Sequence, residues 1–431
     1  MQFTIKGLVY KSSFLLLFGG IACTHITVRE ESTLECRTTI PIDQALSKME
    51  ELIDSQMAYS RACDNSQYEI MVLGGKDFEA ETRAIGNMNI PDTLLYIINF
   101  GDEEGFSILS GDSRIKTSVF CLTEKGSVSK EDFIDAFCFL NNSNQEMEYD
   151  FESVLVPSLI LASALPQCRG GGGEGGDDDE DHDDWLDWLA SMMEDIGGGN
   201  GGYVNRGPFV RTKWAQEVSP LDSLVTGLSG CATIAVGQII VANRYPNNMQ
   251  FNNVMFNLDT LETVRHYSKP GSRSNPSSII ACSQAANFIV YLRSPDLLNM
   301  TGNGASADDV INALQHIGYS DVEKTHSLGS FSSDMSVRVM NMLNNNYPVF
   351  VGGGRWGGAH AWVIDGYLYS QSVLLFHINW GWNGYRDGYY DYGVFDSGAT
   401  HIPDPIIDNG NSYSGPEYNY FFSFTIIEYS F

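Results

Sequence analysis

Between Cys231 and Ile240 nearly every position is small or apolar: Cys-Ala-Thr-Ile-Ala-Val-Gly-Gln-Ile-Ile. Such positions cover all faces at the helical period instead of one stripe, which predicts a central, buried helix. Ser229 and Gly230 supply turn and cap residues before it. Asn243-Arg244-Tyr245-Pro246 ends it, because proline cannot continue a helix. Around this run the pattern alternates between helices and strands. Ile42, Leu46, Met49, Ile53 and Met57 recur at helical spacing across residues 41–60. Residues 94–100 read as an apolar strand, Gly101-Asp102-Glu103-Glu104-Gly105 turns the chain, and residues 106–110 return as a hairpin partner. Ser129 with Asp132 predicts a capped helix through Leu140, and Ser306 with Asp309 another through His316, ended by Gly318. Residues 348–353, the apolar run after His360, and residues 373–378 read as strands.

Composition divides this pattern into parts. At 431 residues the chain exceeds one ordinary domain, and its 43% hydrophobic content is ample for two cores. The net charge of −29 argues against nucleic acid as a partner, and about −23 of it falls before Tyr203. Lys6 and Lys11 flank a short apolar core at residues 12–22, well under the ~20 residues that span a bilayer, so residues 1–22 are expected to be an export signal. Gly20-Ile21-Ala22-Cys23 resembles a bacterial lipobox, with Gly20 where Leu is usual. A lipid anchor at Cys23, and a cell-surface or secreted location, are expected from it. Residues 23–165 read as a small α+β module without a catalytic set of polar side chains. Residues 166–203 read as a Gly/Asp-rich linker, and residues 204–431 as the second module. The linker acids Asp177, Asp179, Asp181 and Asp183 suggest a calcium loop, but His182 and Trp188 stand where that loop needs Gly and Glu.

Only Cys231 and Cys282, of eight cysteines, follow the acidic tract. A back half with two cysteines is not built on disulfides, which favours a thiol kept free for chemistry. Cys231 falls in the first turn of its helix, where free N–H groups and the helix dipole favour a thiolate and predict a pKa below the usual ~8.5. A lone Cys in an apolar helix is more often a small buried residue, so its partners decide the matter. His360 lies 129 residues on, at a strand start among small residues, and Asn379 lies 148 residues on, at a strand end. A thiol protease needs a thiolate, an imidazole to pass its proton, and a third group to orient the ring. Gln216, upstream of the thiol, is placed to donate its amide to an oxyanion beside the Cys231 N–H. Trp380 is placed to shield a His360–Asn379 hydrogen bond from water. There is no H-E-x-x-H, P-loop or dinucleotide fingerprint, and the remaining histidines lack metal-ligand spacing, so neither cofactor nor metal is expected. Ser229, in Gly-Leu-Ser-Gly-Cys, just misses the G-x-S-x-G elbow.

Four blocks, in order, resemble the streptopain-like cysteine proteases of the papain clan: Thr-Lys-Trp-Ala-Gln, Gly-Cys-Ala-Thr-Ile-Ala-Val-Gly-Gln-Ile-Ile, Gly-Ala-His-Ala-Trp-Val-Ile-Asp-Gly-Tyr and His-Ile-Asn-Trp-Gly-Trp-Asn-Gly. Residues 105–112 resemble the family's propeptide. The resemblance implies an α+β papain-like fold, with a central helix packed on an antiparallel sheet or barrel, behind an inhibitory α+β prodomain. It implies Cys231 as nucleophile, His360 as base, Gln216 as oxyanion donor, and Asn379 with Trp380 as support. It also implies an inactive zymogen, cleaved in the connector to release an endopeptidase that favours a hydrophobic residue two positions before the scissile bond. Protein or peptide substrates and the chain's own prodomain are the expected partners. Ser219-Pro220-Leu221 replaces the family's Pro-Tyr-Asn, which bears on cleft shape more than on chemistry. Two other readings remain open: a papain-fold amidase or isopeptidase acting on cell-wall peptide, and a surface lipoprotein that binds without cutting.

Overall fold

The structure, a computed structural model, describes residues 39–54, 68–78, 92–101, 104–113, 118–130, 204–216, 229–251, 253–264, 278–300, 304–328, 331–355, 358–370, 373–391 and 423–431. The export signal, Cys23, Asp132 and the helix expected after it, the acidic linker and Ser219-Pro220-Leu221 lie outside these residues. The described residues belong to one compact unit.

Its frame is one large antiparallel sheet. The front strands are β1 (Tyr68–Leu73), β2 (Leu95–Phe100), β3 (Phe106–Ser110) and β4 (Val119–Thr123), each hydrogen-bonded to the next. The predicted hairpin is present, with Leu95 opposite Ser110 and Asn99 opposite Phe106. The strand period of two sends alternate side chains to opposite faces. Leu95, Ile97, Phe106 and Ile108 enter the main core, while Tyr96, Ile98 and Leu109 enter a second one. The second core is covered by α1 (Ile42–Asp54), whose Ala45, Met49 and Leu52 are buried along one face, while Ile42, Leu46 and Ile53 of the predicted stripe are half-buried at its margin. The rest of that predicted helical span lies outside the described residues.

The sheet does not end with the front module. β4 pairs with β12 (Gly388–Asp391), placing Cys121, Leu122 and Thr123 opposite Tyr390, Tyr389 and Gly388. From β12 the order runs through β11 (Val373–Asn379), β10 (Gly358–Ser370), β9 (Val349–Arg355), β13 (Ser423–Ser430) and β8 (Ser320–Leu328). A short strand, β5 (Val204–Arg206), pairs with the far end of β10, and β6 (Gln250–Phe251) and β7 (Val254–Met255) form a separate two-stranded sheet. Leu368, Leu375 and Tyr389 of the back half reach the second core, so the two halves share both a sheet and an apolar layer.

The main core is organised around α2 (Cys231–Asn243), in which every residue from Ala232 to Val241 is buried. That confirms the all-round apolar pattern as a central helix. It packs on β9 and β10, with α3 (Leu258–Glu262), α4 (Ile279–Leu292) and α5 (Ala307–Ile317) around it. Arg244 turns into the left-handed region at its end. α5 carries the expected capping box from Ser306 and Asp309 and stops at Gly318. A last helix, α6 (Ser333–Asn344), leads into β9. A Cβ on Gly237 would lie 2.9 Å from the Trp214 ring, so only glycine there lets Trp214 press against the helix. Trp214 in turn fixes the neighbouring Ala215, which bridges to Trp382, and so brings Gln216 toward the helix start. The architecture is the mixed α+β one that the sequence implied, with its central helix on an antiparallel sheet.

Candidate active site

Gly230 caps α2 with φ 88, a conformation that glycine adopts without strain, and no side chain caps the helix. The first-turn N–H groups are therefore left to serve the thiol. Cys231 is half-buried, and the main-chain N–H groups of Ala361, Ala232 and Cys231 itself lie where they favour its thiolate. Burial nevertheless dominates and pushes the thiol pKa up, with the three N–H groups pulling it down by less. The sequence expectation of a depressed pKa is thus overturned. Helix position favours the thiolate, but removal from water favours the thiol more strongly. The Ser229 N–H donates to the Gln216 carbonyl at 2.9 Å, which seats Gln216 beside the start of α2.

Ala361, whose N–H favours the Cys231 thiolate, is the chain neighbour of His360. His360 is buried, at 3% exposure, on β10. Its Nε2 lies 2.9 Å from the Trp380 main-chain oxygen. A carbonyl only accepts, so the proton in this bond belongs to Nε2, and in the neutral ring Nδ1 is left as the base. The ring stacks on Trp382 at 5.0 Å with 22° between planes, and Trp362 lies 6.1 Å away. Trp380 stacks in turn on Trp382, and its own ring is fully buried.

Asn379 is placed differently from the sequence expectation. Its Oδ1 accepts from Gln238 Nε2 and from the Gly381 N–H, both at 3.1 Å, which fills the two lone pairs of that oxygen. Its Nδ2 donates to the Thr212 carbonyl at 3.0 Å. The acceptor that holds the imidazole is therefore the backbone of Trp380, not the side chain of Asn379. The Trp380 indole is buried nearby but has no His360–Asn379 bond to shield, and the indole that stacks on the imidazole belongs to Trp382. Gln238, Thr212 and Trp382 went unread in the sequence. Gln238 was the legible one, as the single large polar side chain inside an otherwise small and apolar helix.

A buried charge cluster adjoins the site. His377 lies between Asp365, 2.5 Å from Nδ1, and Glu124, 3.0 Å from Nε2. Burial alone would lower the His377 pKa, but the two carboxylates overcome it and raise it to about 10. Lys213 reaches Asp387 at 2.8 Å and Glu124 at 3.4 Å. Burial pushes the Asp387 pKa up against the pull of Lys213. Asp387 Oδ1 accepts the Trp380 N–H at 3.0 Å, so the cluster also holds the residue that holds His360. Among the described residues no group of three or more His, Cys, Asp or Glu is arranged to hold a metal ion.

The profile of the Peptidase C10 family matches residues 212–390, the stretch that carries Cys231, His360, Asn379 and Trp380. Over 209 residues the chain is 27% identical to streptopain of Streptococcus pyogenes serotype M1, covering 43% of this chain and 51% of that protein. It is 25% identical over 190 residues to the thiol protease/hemagglutinin PrtT of Porphyromonas gingivalis, covering 40% of this chain and 21% of that protein. The chain spans about half the length of the streptopains it matches. Among solved structures, a fragment of Prevotella intermedia prointerpain A with a cysteine-to-alanine substitution is similar at a TM-score of 0.46 and 15% identity, covering 84% of this chain and 98% of that one. The polar frame around Asn379 and the tryptophan cluster both lie inside the matched stretch.

Proposed function

We propose that the chain is a cysteine endopeptidase in which Cys231 attacks the peptide carbonyl and His360 moves the proton. One observation carries this reading. His360 is fixed through Nε2 by the Trp380 carbonyl, while the N–H of the next residue, Ala361, favours the Cys231 thiolate. The thiol rests protonated, so attack begins as its proton passes to His360 Nδ1. The sulfur bonds to the carbonyl carbon, and the carbonyl oxygen takes the negative charge beside the Cys231 N–H and the Gln216 amide. His360 then gives its proton to the leaving amine, and a thioester to Cys231 remains. Water, deprotonated by the same imidazole, cleaves that thioester and restores the thiol. Trp382 supports the charged imidazolium between these steps through its ring face.

The front module is proposed to be a prodomain that inhibits in cis, with the acidic connector as its cleavable tether. The charge break near Tyr203, the strand pairing of β4 with β12 and the seat of Glu124 between His377 and Lys213 support this. An exported chain, with a lipid anchor at Cys23, belongs to the same proposal. The test is hydrolysis of a fluorogenic peptide by the processed protein. Cys231→Ala and His360→Ala are each expected to lower kcat/KM by at least ~1,000-fold with unchanged circular dichroism. Retained turnover in either folded variant removes the assignment.

A further inference from the structure

Gln238 stands seven residues after Cys231 on α2, two helical turns on, so the two side chains leave the same face. It is fully buried. Its Oε1 accepts from the Thr212 hydroxyl, and its Nε2 donates to Asn379 Oδ1, both at 3.1 Å. Asn379 Oδ1 also takes the Gly381 N–H at 3.1 Å. That N–H and the Trp380 carbonyl are the two ends of one peptide plane, and the carbonyl end holds His360 Nε2 at 2.9 Å. The helix that presents the thiol is thereby tied to the peptide that holds the imidazole, through two side chains and one rigid plane. An N–H that is hydrogen-bonded also makes its own carbonyl a better acceptor, because linked hydrogen bonds polarise one another.

We propose that Gln238 is a positioning residue which, through Asn379 and the peptide between Trp380 and Gly381, sets the orientation of the His360 ring toward Cys231. The proposal rests on the reading of Cys231 and His360 as the reacting pair. It gives Asn379 an indirect function: it aims the carbonyl that aims the ring. Thr212 completes the frame, since its hydroxyl and its carbonyl both fall within it.

The test uses the full-length protein and two substitutions, Gln238→Met and Gln238→Glu. Methionine keeps the length and removes both hydrogen bonds. Iodoacetamide alkylation of Cys231 is followed by peptide mapping, so that Cys282 does not contribute, between about pH 5 and pH 11, a window wide enough for the imidazole and for a thiol raised above its ordinary value. In Gln238→Met the alkylation rate at neutral pH is expected to fall about tenfold, and its midpoint to move to higher pH, as a misdirected imidazole stabilises the thiolate less. In processed protein kcat is expected to fall by about the same factor with KM within about twofold. Glutamate gives a sharper reading. Protonated, its carboxyl group donates to Asn379 as the amide does; ionised, it offers only acceptors. The alkylation rate of Gln238→Glu relative to wild type is therefore expected to recover as the pH falls. A folded Gln238→Met with the wild-type alkylation profile and kcat overturns the proposal. Should that variant not fold, a flat ratio for Gln238→Glu overturns it and a rising one supports it. Alkylation requires no peptide turnover, so a wild-type protein that cleaves nothing removes the peptidase reading alone. A wild-type alkylation profile that His360→Ala leaves unaltered removes the pairing on which both depend.

Discussion

At the scale of single residues, the site is a contest between water exclusion and a few directed hydrogen bonds. Burial raises the Cys231 thiol pKa, and the surrounding N–H groups only partly offset it. What makes the sulfur reactive is then its base, and the base is only as good as the surfaces that hold it. Trp382 is one of them. Its ring face lies against His360 at 5.0 Å, and a cation over an indole is worth about 0.5–2 kcal/mol. Trp382→Leu is therefore expected to lower kcat/KM by about 3- to 30-fold. It should also move the acid limb of the pH profile down, because the imidazolium gives up its proton more readily and the neutral base is present at lower pH. An unshifted limb in a folded variant would show that the indole only packs. Cys282 offers the contrast. It is buried among the apolar residues of α4, and burial raises its thiol pKa with no hydrogen bond opposing it. Cys282→Ala should leave peptide hydrolysis within about twofold and lower stability by no more than about 1–2 kcal/mol, read from a urea titration.

At the scale of elements, what was legible in the sequence was what periodicity and caps can carry. The run of small and apolar residues from Cys231 to Val241, broken only by Thr233 and Gln238, can only be satisfied by burial on every side, and α2 is so buried. Ser306, Asp309 and Gly318 wrote the limits of α5 by local hydrogen bonding alone. The hidden part depended on which backbone atoms the fold brings together. Nothing about Trp380 as a residue type announces that its carbonyl will hold the imidazole, because every residue carries a carbonyl. Asn379 was found by its distance along the chain from Cys231, but its bonds to Gln238 and Gly381 exist only once α2 lies beside the end of β11. That approach depends on Gly237. In Gly237→Ala the added methyl meets the Trp214 ring at 2.9 Å and a Leu292 methyl at 3.3 Å. Overpacking of this kind costs about 1–3 kcal/mol, against less than about 1 kcal/mol gained from alanine's helix propensity. A net loss of stability is expected in chemical denaturation, together with slower alkylation of Cys231. Equal or greater stability would mean that Trp214 moves aside freely.

At the scale of the whole molecule, the two halves meet through ionisable groups as well as strands. His377 faces Asp365 and Glu124, with Tyr389 packed edge-on at 4.9 Å, and Glu124 also meets Lys213, itself paired with Asp387. Only the imidazolium donates to both carboxylates at once. The His377 pKa is raised from 6.5 to about 10. Below about 6.5 both the folded and unfolded states hold the proton, and the contribution to stability is complete. Between that value and about 10 only the folded state keeps it, so stability falls as the pH rises. Above the folded value the contribution is gone. Thermal unfolding of the full-length protein is therefore expected to show a Tm that declines across this window. In His377→Gln the decline should be much shallower. Glu124→Gln should also lower the pH at which it is complete, since one of the two carboxylates holding the proton is lost. A wild-type Tm that rises across the window would contradict the cluster's arrangement.

The seam between β4 and β12 has a mechanical side. It is three residue pairs long, from Gly388 opposite Thr123 to Tyr390 opposite Cys121. If the front module departs, few backbone bonds must part, and the border left behind is too short to template much foreign strand. The apolar patch of Leu368, Leu375 and Tyr389 on the sheet's flank would be wetted at the same moment. Detachment thus resembles tearing along a perforation coated with adhesive: the tear is easy to start, and the torn face remains sticky.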